Sequence, residues 1–279
     1  MTVKIVTDSA SDLTPEIAGK WGITVMPLYI KFGSQIYRDG VDLTTDEFYR
    51  RLSHDRTLPT TSAPSIGDFV EVYDKLAQET DEILAIMLSS KYSVTCEVAL
   101  KGKELKKSQA RVEVVDSYTA IMGLGLICIS AAEAAKSGAS LDECIDIVHS
   151  NMPRTHVRVA FDTLEYLKRG GRIGTAEALM GSMLKINPIL TIKDGYTEAV
   201  AKTRSRAKAI EHLCNFASSF SNIEKLAIED ATTPDEAEIL ADKLSSRFPR
   251  EHIIRTKVSP VVGTHVGPHV LSVAIQGNQ

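Results

Sequence analysis

The chain is expected to be an α/β protein. Its N-terminal part should hold a parallel sheet flanked by helices, and its C-terminal part a mixed, largely antiparallel sheet. Three observations predict this. Apolar runs of strand length alternate with helical patterns through the first half, as in VKIVTDSASDLTPEIAGKWG, and such alternation signals parallel βαβ units. Helix starts carry their own punctuation: Thr14, Pro15 and Glu16 supply a cap, a proline at the first helical position and an acid in the first turn. In the second half, INPILTIKDGYTEAVAKTR contains two strands joined at Asp194-Gly195, a pair that favours a tight hairpin.

The elements follow in order. KIVTD is a strand that ends in a polar turn at Asp8 and Ser9, before the first helix. ITVMPLYIKF is a second strand, and the acidic DGVDLTTDEFYRRL forms a helix that Thr44 or Thr45 can cap. TLPTTSAPSIGDFVEVYDKLAQE is a polar loop leading into a helix. EILAIMLSSKYSVTCEVALKGKEL and RVEVVDSYTAIMGLGLICISAAEAAKSG each repeat strand, polar turn and helix. Ligands of parallel sheets sit beyond the carboxyl ends of the strands. The turns at Asp8-Ser9, Ser89-Ser93 and Asp116-Ser117 should therefore face one crevice. A division into residues 1–153 and 154–279 is expected around Pro153, after the helix LDECIDIVHSNM. HVRVAFDTLEYLKRGGRIG is then a strand, a short helix and a glycine turn; RSRAKAIEHLCNFASSF is a helix; KLAIEDATTPDEAEILADKLSSRF is strand, loop and helix. HIIRTKVSP and HVLSVAIQG are terminal strands, and GTHVGP between them is expected to be a tight turn.

Composition narrows the function classes. Of the 279 residues 43% are hydrophobic and 24% charged, a globular balance, and the net charge is -4. That charge gives no general attraction to nucleic acid or to anionic membranes. The longest uncharged stretch, TAIMGLGLICISAA at 119–132, is too short to span a bilayer. MTVKIVTDSA has no secretory pattern. The cysteines (Cys96, Cys128, Cys144 and Cys214) form no CxxC pair, which suits core residues in a reducing cytoplasm.

Motifs narrow them further. His265 and His269 stand four apart, but Gly267 and Pro268 lie between them, and no cysteine or HExxH glutamate joins them. No metal site is expected. Neither GxxxxGK nor GxSxG occurs. Ser93 could pair with His265 and an acid as a hydrolytic nucleophile, or could simply cap a helix. The hydroxyl clusters Thr60-Thr61-Ser62 and Ser89-Ser90…Ser93 say more. Both precede helices, whose N-termini favour an anion, and hydroxyls add donors without charge. A small anionic head group such as a carboxylate fits them. Lys168, Arg169, Arg172, Lys202, Arg204, Arg206 and Lys208 make a basic cluster, either a solvated face or a docking surface for an acidic partner.

Taken in order, KIVTDSASDL, PTTSAPS, LSSKYS, VVDS, DTLEYLKRGGRIG, NPILTIKDG, KTRSRAKAI and GTHVGP resemble the DegV family of bacterial fatty-acid-binding proteins, nearly end to end. The resemblance implies a non-enzymatic carrier, without cofactor, that holds one long-chain fatty acid such as palmitate in an apolar tunnel. It implies that Thr61, Ser62, Ser93 and His265 surround the carboxylate. It also implies a partner, a fatty acid kinase that forms the acyl phosphate with ATP, met by Arg172, Arg204 and Arg206. Three positions depart from the family pattern: Val94 and His269 stand where glycine is usual, and Asn187 where lysine is usual. The tail is expected along residues 178–184 and 188–192, with Phe161 and Leu164. The alternative is a serine hydrolase or acyltransferase using Ser93 and His265.

Overall fold

The computed structural model describes residues 2–55, 58–182 and 186–279. The first half runs β1 (Lys4–Asp8), α1 (Pro15–Trp21), β2 (Ile23–Met26), β3 (Tyr29–Phe32), β4 (Gln35–Arg38), α2 (Thr45–His54), β5 (Thr60–Ser62), α3 (Ile66–Leu76), β6 (Glu82–Met87), α4 (Thr95–Leu105), β7 (Arg111–Asp116), α5 (Ile121–Lys136) and α6 (Leu141–Asn151). Its main sheet is parallel, in the order β2-β1-β6-β7.

The second half runs β8 (Thr155–Phe161), α7 (Glu165–Arg169), β9 (Asn187–Lys193), β10 (Tyr196–Thr203), α8 (Arg206–Ser218), β11 (Asn222–Asp230), α9 (Pro234–Leu244), β12 (Ile254–Lys257), α10 (Pro260–Val266) and β13 (Val270–Asn278). Its sheet has the order β10-β9-β8-β13-β11-β12. Every pairing is antiparallel except β11 with β12, so both sheets match the expected fold class.

Burial stacks these elements in layers. Phe69 and Tyr73 of α3 and Cys96 and Ala99 of α4 pack on Val6, Ile83, Ala85 and Met87 of the parallel sheet. On the opposite face lies α5, whose Leu124, Ile127, Cys128 and Ala131 are buried in a cluster that also takes in Val157, Leu190 and Ala274 of the mixed sheet. Helix α5 is thus apolar all round because a sheet covers it on each side. Leu213 and Phe216 of α8 and Leu240 and Leu244 of α9 close the far face of the mixed sheet. Among the described residues no helix is long and apolar enough to cross a membrane.

Three local expectations need correction. ITVMPLYIKF is two strands, because Pro27 has no N–H to continue a parallel ladder; β3 turns away and pairs antiparallel with β4 and β5 in a separate small sheet. TTS is the edge strand β5 rather than loop. GTHVGP is not a turn between strands: Pro260–Val266 is helical, with Ser259 and Pro260 at its start and Gly267, φ +81°, at its end. Gly263 does not break that helix. It lies so close to Tyr49 and Phe48 that a Cβ would come within 2.5 Å of the Tyr49 hydroxyl.

Candidate functional site

The two sheets leave a cavity of about 340 Å³ between them, within the range of about 300–1,000 Å³ found for small-molecule sites. The first half contributes the turns beyond its strand ends. Ala10 follows β1, Leu88 follows β6, and Ala120 and Ile121 follow β7. Of the three turns expected to share a crevice, Ser89–Ser93 reaches the cavity through Tyr92 and Ser93, whereas Asp8-Ser9 and Asp116-Ser117 do not line it and the residues just after them do. Val159 and Phe161 of β8, Leu190 and Ile192 of β9, and Val261 and Val266 of α10 form the opposing wall. Of the segments expected to hold a tail, Phe161 and residues 190–192 line the cavity. Leu164 is fully buried in the adjacent core instead. Residues 178–180 do not line the cavity, the side chains of 181–182 are outside what is described, and 183–184 lie outside the described residues.

The lining also includes polar residues, among them Thr61, Ser62, Ser93, His265 and Arg172. Strand β5 places Thr61 opposite Ile30 of β3. Thr61 points inward and is half-buried while Thr60 and Ser62 are exposed, as the two-residue period of a strand dictates. The Thr61 hydroxyl lies 2.8 Å from His265 Nε2. His265 sits in the last turn of α10. Burial, and then the neighbouring Arg172 charge, push its pKa down to about 4, so the ring is neutral at physiological pH. Its Nδ1 is buried with no hydrogen-bond partner among the described residues and lies against Gly170.

Ser93 precedes α4. Its Oγ lies 2.8 Å from Thr95 Oγ1 and accepts the Thr95 N–H, so it also holds the helix start that Val94, the N-cap, leaves without a side-chain bond. Val94 has φ -76°, an ordinary value for any residue, so this turn has no backbone need for the glycine usual at that position.

The arginines expected to meet a partner occupy different settings. Arg172 is half-buried in the cavity wall. Its Nε and Nη2 donate to Tyr92 O at 3.0 and 2.8 Å, and its Nη1 donates to Gly170 O. Tyr92 Oη in turn meets Thr197 Oγ1 at 3.0 Å, and Thr197 Oγ1 donates to Arg172 O at 2.7 Å. Residues 89–93 of the first half are thereby tied to the glycine turn of the second. Arg204 is exposed. Arg206 spends its guanidinium inside the chain, on Glu236, Asp162 and the carbonyls of Ala160 and His269. Asn187 binds Asp162 Oδ1 at 2.8 Å, and His269 is exposed.

The sequence reading missed Tyr92 and Thr197 as parts of this wall. Tyr92 lies within the Ser89…Ser93 stretch but was not read as a donor, Thr197 stands in no hydroxyl cluster, and only the folded hairpin tip brings them together. Gly195, φ +83°, lets that tip approach Ser89, whose Oγ donates to Gly195 O at 2.9 Å. Among the described residues no group of three His, Cys, Asp or Glu side chains could hold a metal ion.

Comparison with known proteins agrees with this architecture. The family model described as "Uncharacterised protein, DegV family" matches residues 2–278. A DegV domain-containing protein of Clostridium acetobutylicum is 35% identical, over 98% of this chain and 97% of its own length. A fatty-acid-binding DegV family protein from Thermus thermophilus superposes with a TM-score of 0.90 at 32% identity, covering 99% of this chain and 100% of that one. DegV from Bacillus subtilis, a fatty acid binding protein, does so with a TM-score of 0.89 at 30% identity, covering 99% of each. On the match of fold and of a family model that spans residues 2–278, the chain belongs to the DegV family.

Proposed function

We propose that this chain binds one long-chain fatty acid, with the tail in the inter-sheet cavity and the carboxylate among Thr61, Ser62, Ser93 and His265. The observation that carries the reading is a largely apolar cavity lined also by the Thr61 and Ser93 hydroxyls and a neutral imidazole. Each methylene taken from water contributes about 0.8 kcal/mol, so a dozen contribute on the order of 10 kcal/mol before binding costs. A carboxylate left unpaired in such a place would cost several kcal/mol. The Thr61 and Ser93 hydroxyls supply the compensation, with His265 Nε2 holding the Thr61 hydroxyl in place.

Residues that bind without neutralising the head group leave a carboxylate oxygen nucleophilic. We infer that the chain presents it to a fatty acid kinase. There the oxygen bonds to the terminal phosphorus of ATP, the bond to ADP breaks, and an acyl phosphate forms. Arg204, exposed beside β10, is the cation best placed to meet that partner. A hydrolase using Ser93 and His265 fits less well: His265 Nε2 bonds Thr61, Ser93 bonds Thr95, and no carboxylate among the described residues orients His265 Nδ1.

The test is to denature the purified protein and analyse the extract by mass spectrometry, then measure uptake of palmitate and oleate. A stoichiometric, non-covalent fatty acid is expected. The double variant Thr61→Ala, Ser93→Ala should weaken retention by about a hundredfold or more, from two lost hydrogen bonds to a charged group. Unchanged retention would remove these residues from the head-group site, and an acyl-serine adduct would favour the hydrolase.

A further inference from the structure

The mixed sheet has a second face, turned away from the cavity, and β8 sends two basic side chains to it. Alternation along the strand puts Val157 and Val159 on the cavity side and His156 and Arg158 on the other. Helix α8 covers that second face through Leu213 and Phe216. The Arg158 guanidinium carbon lies 4.5 Å from the Phe216 ring centroid, and the His156 ring meets Phe220 edge-on at 5.4 Å. His212 stands one helical turn before Phe216, on the same stripe of α8. One guanidinium and two imidazoles, all half-buried, thus gather where β8 meets α8.

Their charge is not matched from within the chain. Arg158 Nη1 donates to Val157 O at 3.0 Å and to Thr191 Oγ1 at 2.7 Å, both neutral. Three of the five donors that an arginine carries remain. Glu198 is the acid whose charge reaches Arg158, yet it turns to Lys193, 3.9 Å away, and no carboxylate pairs with Arg158 among the described residues. On α8, Glu211 pairs with Lys208. Burial, and then the Arg158 charge, push the pKa of both His156 and His212 down, so the three groups share one field. A half-buried charge without a counter-charge is costly, and the Phe216 ring offsets only part of that cost. An oxyanion on the remaining donors offsets the rest.

We propose that Arg158, His156 and His212 bind a phosphate oxyanion in the groove between β8 and α8, on the reverse of the cavity wall. The guanidinium fork offers Nε and Nη2 to two oxygens of the tetrahedron, and the imidazoles donate to the others once protonated. Bound there, the anion ties β8 to α8. The site takes nothing from the fatty-acid reading, since the sheet separates it from the cavity.

The test follows the imidazole C–H resonances of the full chain as inorganic phosphate is added, with sodium chloride at equal ionic strength as the control. Phosphate should shift His156 and His212 saturably, with a Kd on the order of 1 mM. It should raise the pKa of both rings by about half a unit or more, the sign that an added negative charge requires. Chloride should do neither, and His54 on α2 and His149 on α6 should stay unmoved. Arg158→Gln should weaken phosphate about tenfold or more, the loss of one charge-assisted fork. His212→Gln should weaken it about threefold, and it keeps the site testable if Arg158→Gln disturbs the packing on Phe216. Methyl phosphate bound as tightly as phosphate would identify the natural ligand as a phosphomonoester, and binding of phosphate alone would identify it as the free ion. Equal responses to chloride and phosphate, ring pKa values that phosphate leaves in place, or wild-type affinity in either folded variant would overturn the site.

Discussion

The side chain most constrained at the site is His265, and its constraint comes from a residue with no side chain. Gly170 packs flush against the imidazole, and a Cβ there would overlap Nδ1. The ring position sets the 2.8 Å contact between Nε2 and Thr61. Gly170→Ala should therefore push the ring away from Thr61, leave that hydroxyl no longer aimed at the carboxylate, and reduce fatty-acid affinity by up to about tenfold, the value of one hydrogen bond from Thr61 to a charged group. The backbone itself gains no strain, because Gly170 has φ -76°, so the fold should survive. A titration with fluorescent fatty acid alongside a thermal melt checks both halves of that expectation. Legibility at this scale followed chemistry. Hydroxyls clustered before helices could be picked from the sequence because their type and spacing imply anion donors. Arg172, Tyr92 and Thr197 could not be joined, because their contact depends on a hairpin folding across some 80 to 105 residues of chain.

Among the elements, α5 and α10 depend on an acid pair beneath the cavity. Asp12 ends the short 3-10 turn Ser9–Ser11 with φ +53°. Its Oδ1 accepts the Ser259 N–H at the start of α10, at 3.1 Å. Glu229, on β11, accepts the Met122 N–H at the start of α5, at 2.9 Å, and the Ser272 hydroxyl. Asp12 and Glu229 also hydrogen-bond each other, and burial raises the pKa of both. Asp12 Oδ2 has no donor among the described residues, so a proton held between the two carboxyls is what satisfies it. Asp8 and Asp39, also buried, are raised to about 7, Asp230 is raised, and the Tyr49 hydroxyl stands near Asp12, Asp39, Asp230 and Glu229.

A carboxyl whose native pKa is raised contributes stability that is whole below the unfolded value, about 4, and is lost as pH rises towards the native one. Asp8 and Asp39 contribute to that fall up to about pH 7, and the raised pair adds its own share. Wild-type stability should thus fall as pH rises, the pair contributing up to about 1.4 kcal/mol per pH unit while it gives up its proton. In Asp12→Asn the amide donates to Glu229 in place of the proton, so the curve there should flatten. Urea melts at several pH values decide it, and identical slopes in the two proteins would exclude a shared proton. The helix that carries His265 was also the one misread from sequence. Glycine and proline in GTHVGP suggested a turn, yet Ser259-Pro260 just upstream is a helix start. Gly263 is there to admit Tyr49 and Phe48, a tertiary reason that local propensity does not contain. The small sheet β4-β3-β5 escaped for a similar cause, since its strands of three and four residues gain order only by packing.

At the scale of the whole molecule, alternation of strands and helices was enough to foresee two sheets of different kind, because burial on two faces or on one leaves its period in the chain. The cavity between the sheets was not foreseeable as a joint product. Its wall takes Ala10, Leu28, Leu88 and Ile121 from the first half and Val159, Phe161, Leu190 and Val270 from the second. The main core cluster likewise runs from Val3 and Ile5 through α5 to Val157, Leu190 and Ala274. Residues 1–153 and 154–279 then share a core as well as a cavity, and neither half can bury its facing surface alone. Two consequences are measurable together. Heating should unfold the chain in one transition reported alike by Trp21 fluorescence in the first half and by far-ultraviolet circular dichroism. A fatty acid that bridges the halves should raise that single midpoint, adding about 2.7 kcal/mol of stability at a free concentration one hundred times Kd. A ligand seated in one half of two independent domains would shift only one of two transitions. Two separated melts, with one insensitive to palmitate, would therefore show that the shared core and the inter-sheet cavity do not couple the halves.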